Sequence, residues 1–149
     1  MNEREAYDQL CGYTLLRGDR AFIHQHVVDV FAAQTADEHT KPIKLTFALV
    51  GLYLHELEGF TGKQVQRAHQ YLARGKQSWP TFLLPSDRGS ISAIDVLAQP
   101  AGMERDEAIY SWLTTVWSSY GHVEEEIRTL LSKYPGLFPY ALSGANKSS

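Results

Sequence analysis

The sequence predicts an all-α fold, a single-domain bundle of five or six helices with one long apolar loop. Apolar residues recur at spacings of three and four in most segments, which is the helical period. No segment shows the alternation of apolar and polar residues that is typical of strands. A chain of 149 residues is long enough for one domain with its own core. We expect this domain to span residues 1–143 and residues 144–149 to form a disordered tail.

The first two helices are predicted at about Glu3–Leu16 and Arg20–Thr35. Between them, Gly18 readily adopts the left-handed conformation that ends many helices. Asp19 follows, and aspartate is a favoured N-cap because its carboxylate accepts hydrogen bonds from amides of the first turn. We therefore expect a tight turn between the two helices.

The third and fourth helices are predicted to form a hairpin. The segment Pro42–Glu58 is apolar on nearly all sides, which indicates a central, buried helix. Gly59 ends it, and Thr61 with Gln64 three residues later forms a capping box. This box opens a helix at about Gly62–Arg74.

The segment Gly75–Gly89 interrupts the helical pattern. It contains several large apolar residues and two prolines, so we expect a loop that lies across the bundle as a cover. Trp79 and Arg88 in this loop are candidate ligand contacts, as is Cys11 on the first helix. Cys11 is more typical of an inert core thiol than of a nucleophile.

The remainder of the chain is also predicted to be largely helical. A short helix is expected in the stretch SAIDVLAQ (Ser92–Gln99). An apolar stripe then runs from about Glu104 to Leu131 and can form one long helix, because Gly121 inside it costs only about 1 kcal/mol. The last apolar stretch, YPGLFPYALS, predicts an irregular segment docked on the bundle.

Composition excludes several classes of protein. The net charge of −3 and the scattered basic residues give no electrostatic footprint for nucleic acid. The single cysteine, Cys11, excludes an internal disulfide and any zinc site built on a cysteine pair. The charged N-terminal stretch does not resemble a secretion signal, and no apolar run is long enough to span a membrane. We expect a cytoplasmic protein.

Three of the six histidines fall in one layer of the predicted bundle. On the second helix, His24 is in register with the apolar side, whereas His26 is predicted on the polar side with Asp29. If consecutive helices are antiparallel, then His24, His55 and His69 lie within about 6 Å of one another along the bundle axis.

The face of the third helix that carries His55 leaves two interpretations open. This strip also contains Lys44, Ala48, Gly51 and Glu58, and it is the least apolar strip on the helix. It can face water, or its small residues can leave room beside a polar interior site.

The function that this layer favours is binding of a divalent metal such as Zn, Ni or Fe, or of a small ligand, in a pocket lined by His24, His55 and His69. Neutral imidazole is a strong ligand for these metals, and three histidines with one water form an open, catalytic type of site. A metal-dependent enzyme of the small-bundle type is then one interpretation. The alternative is a non-catalytic helical interaction module, such as a homodimer, that presents Tyr134, Phe138 and Tyr140.

Several stretches resemble the motifs of one family. IHQHVVDVFAAQ (Ile23–Gln34) resembles a motif of the form HQ-x-x-VDA-x-x-x-Q. The same pattern continues in GSISAIDVL (Gly89–Leu97), in AIYSWLTTVWSSY (Ala108–Tyr120) with its W-x-x-x-V-W-x-x-[WY] spacing, and in IRTLL (Ile127–Leu131). From about Tyr7 to Leu131 the chain is similar to an uncharacterised bacterial family that is catalogued only as a domain of unknown function.

The resemblance implies a stand-alone, mostly helical domain without an established activity. His24, Gln25 and Asp29 match the histidine motif of the family. Relatives carry an N-terminal Cys-x-x-Cys element and a histidine directly after the glutamine that matches Gln34. This chain has neither, and Thr35 stands at the second position. The resemblance therefore implies a fold but no reaction.

Overall fold

The computed structural model describes residues 1–75 and 78–147, the last four by their backbone alone. No strand occurs in this part of the chain, so the prediction of an all-α fold is confirmed. The α-helices are α1 (Glu3–Arg17), α2 (His24–Thr35), α3 (Pro42–Glu58), α4 (Gly62–Leu72), α5 (Ala93–Leu97), α6 (Met103–Ser119), α7 (Glu124–Ser132) and α8 (Leu137–Lys147). None of these helices is long and apolar enough to cross a membrane.

The described residues form eight α-helices rather than five or six, and the difference arises in the second half of the chain. The long apolar stripe is divided after α6 by a short 3-10 helix, Gly121–Val123. Tyr120 at this break is fully buried, and its hydroxyl donates to the carbonyl of Ala33 at 2.7 Å. The stripe therefore continues across two helices, with a buried, hydrogen-bonded tyrosine at the break between them.

The apolar tail is helix α8 and not an irregular segment. It packs on α4, with Leu137 and Ala141 buried and the ring of Phe138 edge-on to Phe60. Ser148 and Ser149, the end of the predicted disordered tail, lie outside the described residues.

The helix ends follow the predicted capping residues in the first half of the chain. Gly18 (φ 58°) and Gly59 (φ 69°) end α1 and α3 in the left-handed conformation. Thr61 and Gln64 form the predicted capping box at the start of α4, which ends at Leu72 rather than Arg74. These caps define the antiparallel hairpin of α3 and α4.

Helix α2 begins four residues later than predicted, at His24 instead of Arg20. The carboxylate of Asp19 accepts a hydrogen bond from the amide of Ile23 at 3.0 Å and so closes a turn before the helix. In this turn Phe22 has a φ of 55°, which is uncommon for a residue with a side chain. Its carbonyl packs against Gly62, where an added Cβ would lie 1.9 Å from the oxygen.

The segment after α4 contains no helix from Ser78 to Ile91, and Lys76 and Gln77 of the predicted loop lie outside the described residues. Phe82 is buried, and Trp79 and Leu84 pack against the core. At the end of the segment, Arg88 donates to the carbonyls that end α2. The segment is thus attached to the bundle both by apolar packing and by hydrogen bonds to a helix terminus.

Candidate functional site

The side of α2 that was predicted to face water is instead buried. His26 is 2% exposed and Asp29 is 3% exposed, and Ala33 on the same side is fully buried. The prediction for His26 and Asp29 was wrong because the buried face of α2 is wider than the apolar stripe that the sequence predicts. Val27 and Val30 are fully buried as well, so the buried face of α2 includes both apolar residues and the polar side chains of His26 and Asp29.

Gly51 on α3 makes room for the carboxyl group of Asp29. A Cβ at this position would lie 1.9 Å from Oδ2 of Asp29, so no side chain fits there. Oδ1 of Asp29 accepts a hydrogen bond from Nε2 of Gln25 at 3.1 Å, whereas Oδ2 has no partner among the described residues. Burial raises the pKa of Asp29 well above its usual range, which favours the neutral form of this carboxyl group.

His69 lies next to Asp29 and is fixed by a backbone carbonyl. Its Nε2 is 2.7 Å from the carbonyl oxygen of Phe47, and because a carbonyl only accepts, Nε2 carries the proton. Nδ1 is therefore an acceptor, 3.4 Å from Nε2 of Gln25. Burial lowers the pKa of His69 to about 4, so the ring is neutral at physiological pH although Oδ2 of Asp29 is only 3.9 Å from its Nε2.

The strip of α3 that carries His55 faces α2, which settles the alternative left open by the sequence. Ala48 and Gly51 are buried, Lys44 is exposed at one end of the strip, and His55 is half-buried. Nδ1 of His55 lies 3.0 Å from the carbonyl oxygen of Phe60. The proton is therefore on Nδ1, and Nε2 presents a lone pair.

The ring next to His55 belongs to His26, a residue that the sequence did not single out. The centres of the two imidazoles are 4.3 Å apart, and the ring of Tyr110 stacks on His55 with a centre separation of 5.4 Å. Burial and the nearby His55 lower the pKa of His26 to about 3. Nδ1 of His26 is buried and has no hydrogen-bond partner among the described residues. We call His26, His55 and Tyr110 the ring cluster.

His24 belongs to a different contact. Its Nδ1 is 3.0 Å from the hydroxyl of Thr14 on α1, and its ring is tilted against Phe22 with centres 5.5 Å apart. The described residues contain no group of three or more His, Cys, Asp or Glu placed to hold a metal ion. A metal shared by His24, His55 and His69 therefore stays a prediction.

The three other candidate residues have identifiable contacts. Arg88 donates from Nη1 to the carbonyls at the end of α2 and from Nε to the carbonyl of Pro85 at 2.7 Å. Trp79 packs edge-on against Phe47 with a ring-centre separation of 5.2 Å. Cys11 is half-buried, and burial raises the pKa of its thiol, which disfavours the reactive thiolate. A ligand-binding role for these residues stays a prediction.

Gln34, the last residue of the histidine motif, has a purely structural set of hydrogen bonds. Its Oε1 accepts from the indole nitrogen of Trp112 at 2.9 Å. Its Nε2 donates to the carbonyls of Arg88 at 3.2 Å and Ile91 at 2.7 Å. One amide thus joins α2, α6 and the segment before α5.

Comparison with known proteins places the chain in a family. No curated protein and no solved structure matches it. A family model described as a family of unknown function (DUF5946) matches residues 4–121, which is most of the chain and contains the ring cluster, Asp29 and Gln34. The chain therefore belongs to this family of unknown function.

Proposed function

We propose that the protein binds one divalent transition metal ion through the imidazoles of His26 and His55. The observation that supports this function is an unpartnered, buried ring nitrogen of His26 beside a second imidazole, with 4.3 Å between ring centres. Buried polar atoms are normally paired, so such a nitrogen needs an explanation. A metal ion bound at about 2.0–2.1 Å from imidazole nitrogens would satisfy it.

The protonation states suit metal binding. His26 is neutral because burial lowers its pKa to about 3, so protons do not compete for its lone pair at physiological pH. His55 donates from Nδ1 to the carbonyl of Phe60 at 3.0 Å, which leaves Nε2 as the ligand atom. Histidines that bind metals commonly donate their other N–H to a carbonyl or carboxylate in this way.

Zinc, nickel and iron are the metals that two imidazoles would favour. Two protein ligands leave positions for water, and a bound zinc ion would lower the pKa of such a water and polarise a substrate carbonyl. The exposed edge of Tyr110, which is 36% exposed, would give a substrate access to this position. A hydrolytic, metal-dependent enzyme is the activity that these features would support.

The proposal is tested by elemental analysis after equilibration with zinc and removal of excess metal. We expect about one zinc ion per chain for the natural protein and for His39→Ala, whose side chain is 85% exposed on a connecting turn. His55→Phe keeps an aromatic ring against Tyr110 but removes the ligand nitrogen, so it should lose the zinc. Circular dichroism verifies that this variant is folded. Absence of zinc from the natural protein, or its retention by folded His55→Phe, would refute the proposal.

The same measurement of zinc content distinguishes this site from the one predicted from the sequence, which consists of His24, His55 and His69. If His24, His55 and His69 share the metal, then His24→Ala loses the zinc. If His26 and His55 bind it, His24→Ala retains it, because the ring of His24 contacts α1 and not α3.

The alternative of a homodimeric interaction module also stays a prediction. Tyr134, Phe138 and Tyr140 are each only partly exposed, and Phe138 and Tyr140 contact rings of the α3–α4 hairpin. A molecular mass measured by light scattering that rises with protein concentration would support it.

A further inference from the structure

A cleft lies between the segment before α5 and the C-terminal end of α6, away from the ring cluster. Its volume is about 540 Å³, within the range of sites for small ligands. One wall is the stretch 83–89, and the other consists of Thr115, Ser118, Ser119 and His122. Gly89, at φ 93°, brings the two walls together, because a Cβ there would lie 3.3 Å from Thr115.

Thr115, Ser119 and His122 present hydrogen-bond acceptors to this cleft. The hydroxyl of Thr115 donates to the carbonyl of Trp112 at 3.0 Å, and that of Ser119 donates to the carbonyl of Val116 at 2.6 Å. Both hydroxyl hydrogens are thus used inside α6, and the oxygens offer lone pairs to the cleft. The same holds for His122, whose Nε2 donates to the carbonyl of Leu83 at 2.8 Å and leaves Nδ1 as an acceptor.

The electrostatics of the cleft favour a cation. Asp87 contributes a carboxylate, and the C-terminal end of the 17-residue helix α6 contributes the negative end of its dipole. The described lining residues include no lysine or arginine. Arg88, although adjacent to Asp87 in the chain, directs its guanidinium to the end of α2.

The rim adds an apolar component. Leu83, Leu84 and Pro85 line the cleft, and Leu83 is 78% exposed. We propose that this cleft binds an alkylammonium group, with the ammonium among the acceptors and the alkyl chain on the rim. A small primary amine and a lysine side chain are the two sources of this group.

The proposal is tested by titrating isotopically labelled protein with butylammonium chloride and with butan-1-ol. The alcohol has the same alkyl chain but no charge. We expect butylammonium to shift the backbone amide resonances of Thr115, Ser118 and His122, and butan-1-ol to shift them much less. Equal responses to the two compounds, or shifts centred elsewhere, would overturn the proposal.

Two matched pairs of variants make the test specific. Asp87→Asn retains an acceptor for the amide of Gly89 but loses the charge, so it should weaken butylammonium binding about three- to fivefold. Asp8→Asn, an exposed aspartate on α1, should have no effect. Thr115→Val removes an acceptor in the cleft, whereas Thr114→Val removes a hydroxyl that donates to Glu56 outside it. Unchanged affinity in Asp87→Asn would also overturn the proposal.

The source of the ammonium group is identified by a third titration, with the peptide acetyl-Ala-Lys-Ala-amide. Tighter binding of the peptide than of butylammonium indicates a lysine side chain of a partner, and weaker binding indicates a free amine. Both results depend on the charge of the ligand, so raising the salt concentration should weaken either complex.

Discussion

The two ends of α2 bury polar groups in contrasting ways. At its C-terminal end, the guanidinium of Arg88 donates to three carbonyls, and every polar atom of the Gln34 amide group is paired. In its N-terminal half, Nδ1 of His26 and Oδ2 of Asp29 are buried without partners among the described residues.

We interpret the paired polar groups at one end of α2 as structural, and the unpaired polar groups in the other half as candidates for function. A satisfied polar network fixes the packing of the elements it joins, and needs nothing further to explain it. An unsatisfied buried group destabilises the fold unless a proton, a water molecule or a ligand completes it. The hydrogen bonds at the C-terminal end of α2 are accordingly structural, and the N-terminal half of α2 carries the candidate site.

The substitution Gly51→Ala should have the largest effect on stability, because Gly51 lies against the buried carboxyl group of Asp29 in the N-terminal half of α2. The new methyl group would overlap Oδ2 of Asp29, and overpacking of this kind costs about 3 kcal/mol. Chemical denaturation measures the loss. Gly12→Ala on α1, where a Cβ meets no atom within 4 Å, is the control and should be neutral or slightly stabilising.

A double variant determines whether this loss arises from Asp29. Gly51→Ala combined with Asp29→Ala should be more stable than Gly51→Ala alone, since the methyl group then has space. Additive losses would show that Gly51 is required for another reason.

Arg88→Met tests the C-terminal end of α2, where the polar groups are hydrogen-bonded, and should lower the free energy of unfolding by about 2 kcal/mol. It retains the apolar stem of the side chain but removes the donors to the carbonyls that end α2. Arg4→Met is the matched control, because Arg4 is exposed and pairs with Asp8 on the surface of α1. Equal losses of stability in the two variants would contradict a structural role for the hydrogen bonds between Arg88 and the C-terminal end of α2.

Acid should destabilise the protein through the N-terminal half of α2. His26 and His69 have pKa values lowered to about 3 and about 4 by burial, so below about pH 6.5 the unfolded chain takes up protons that the folded chain does not. The contribution of these two histidines to stability is complete above about pH 6.5 and is lost as the pH is lowered towards 4, on the order of 1 kcal/mol per pH unit for each group.

Melting temperatures between pH 7 and pH 4.5 measure this effect. His69→Gln should reduce the slope, and His39→Gln on the exposed turn should not. Identical slopes in all three proteins would show that the buried histidines are not the titrating groups.

Asp29→Asn should have the smallest effect near pH 4, where the natural carboxyl group is also largely neutral, within about 1 kcal/mol of the natural protein. The pKa of Asp29 is raised by burial, so its contribution is complete below about pH 3.8 and is lost as the pH rises towards the folded value. The asparagine does not titrate, so the variant should gain stability relative to the natural protein as the pH rises. A constant difference between the two from pH 5 to pH 9 would contradict a neutral, buried Asp29.

The fold was largely predictable where local chemistry decides it. Gly18, Gly59 and the Thr61–Gln64 capping box act within one turn of the chain, and each ends or starts a helix where the pattern predicted it. The break after Tyr120 was not predictable, because it depends on a hydroxyl that reaches the carbonyl of Ala33, 87 residues away in sequence.

The candidate site was predictable only in part, because it depends on which face of α2 meets α3. The hydrophobic pattern predicts His26 on the polar, outward side of α2, whereas this side is buried as well. Two small residues on the His55 strip, Ala48 and Gly51, were the available signal, since they make room for polar side chains from a neighbouring helix. Tyr110 gave no signal in the sequence.

The contacts of Arg88 also have a consequence for the order of folding. The carbonyls that end α2 accept hydrogen bonds from a residue located 52 to 55 positions further along the chain. Until the segment before α5 has docked, the last turn of α2 relies on water for its hydrogen bonds, and closing a loop of this length carries an entropic cost. The first four helices therefore cannot reach their full stability as a separate early unit. We expect a ribosome-bound fragment that ends before Arg88 to have a frayed C-terminal turn of α2.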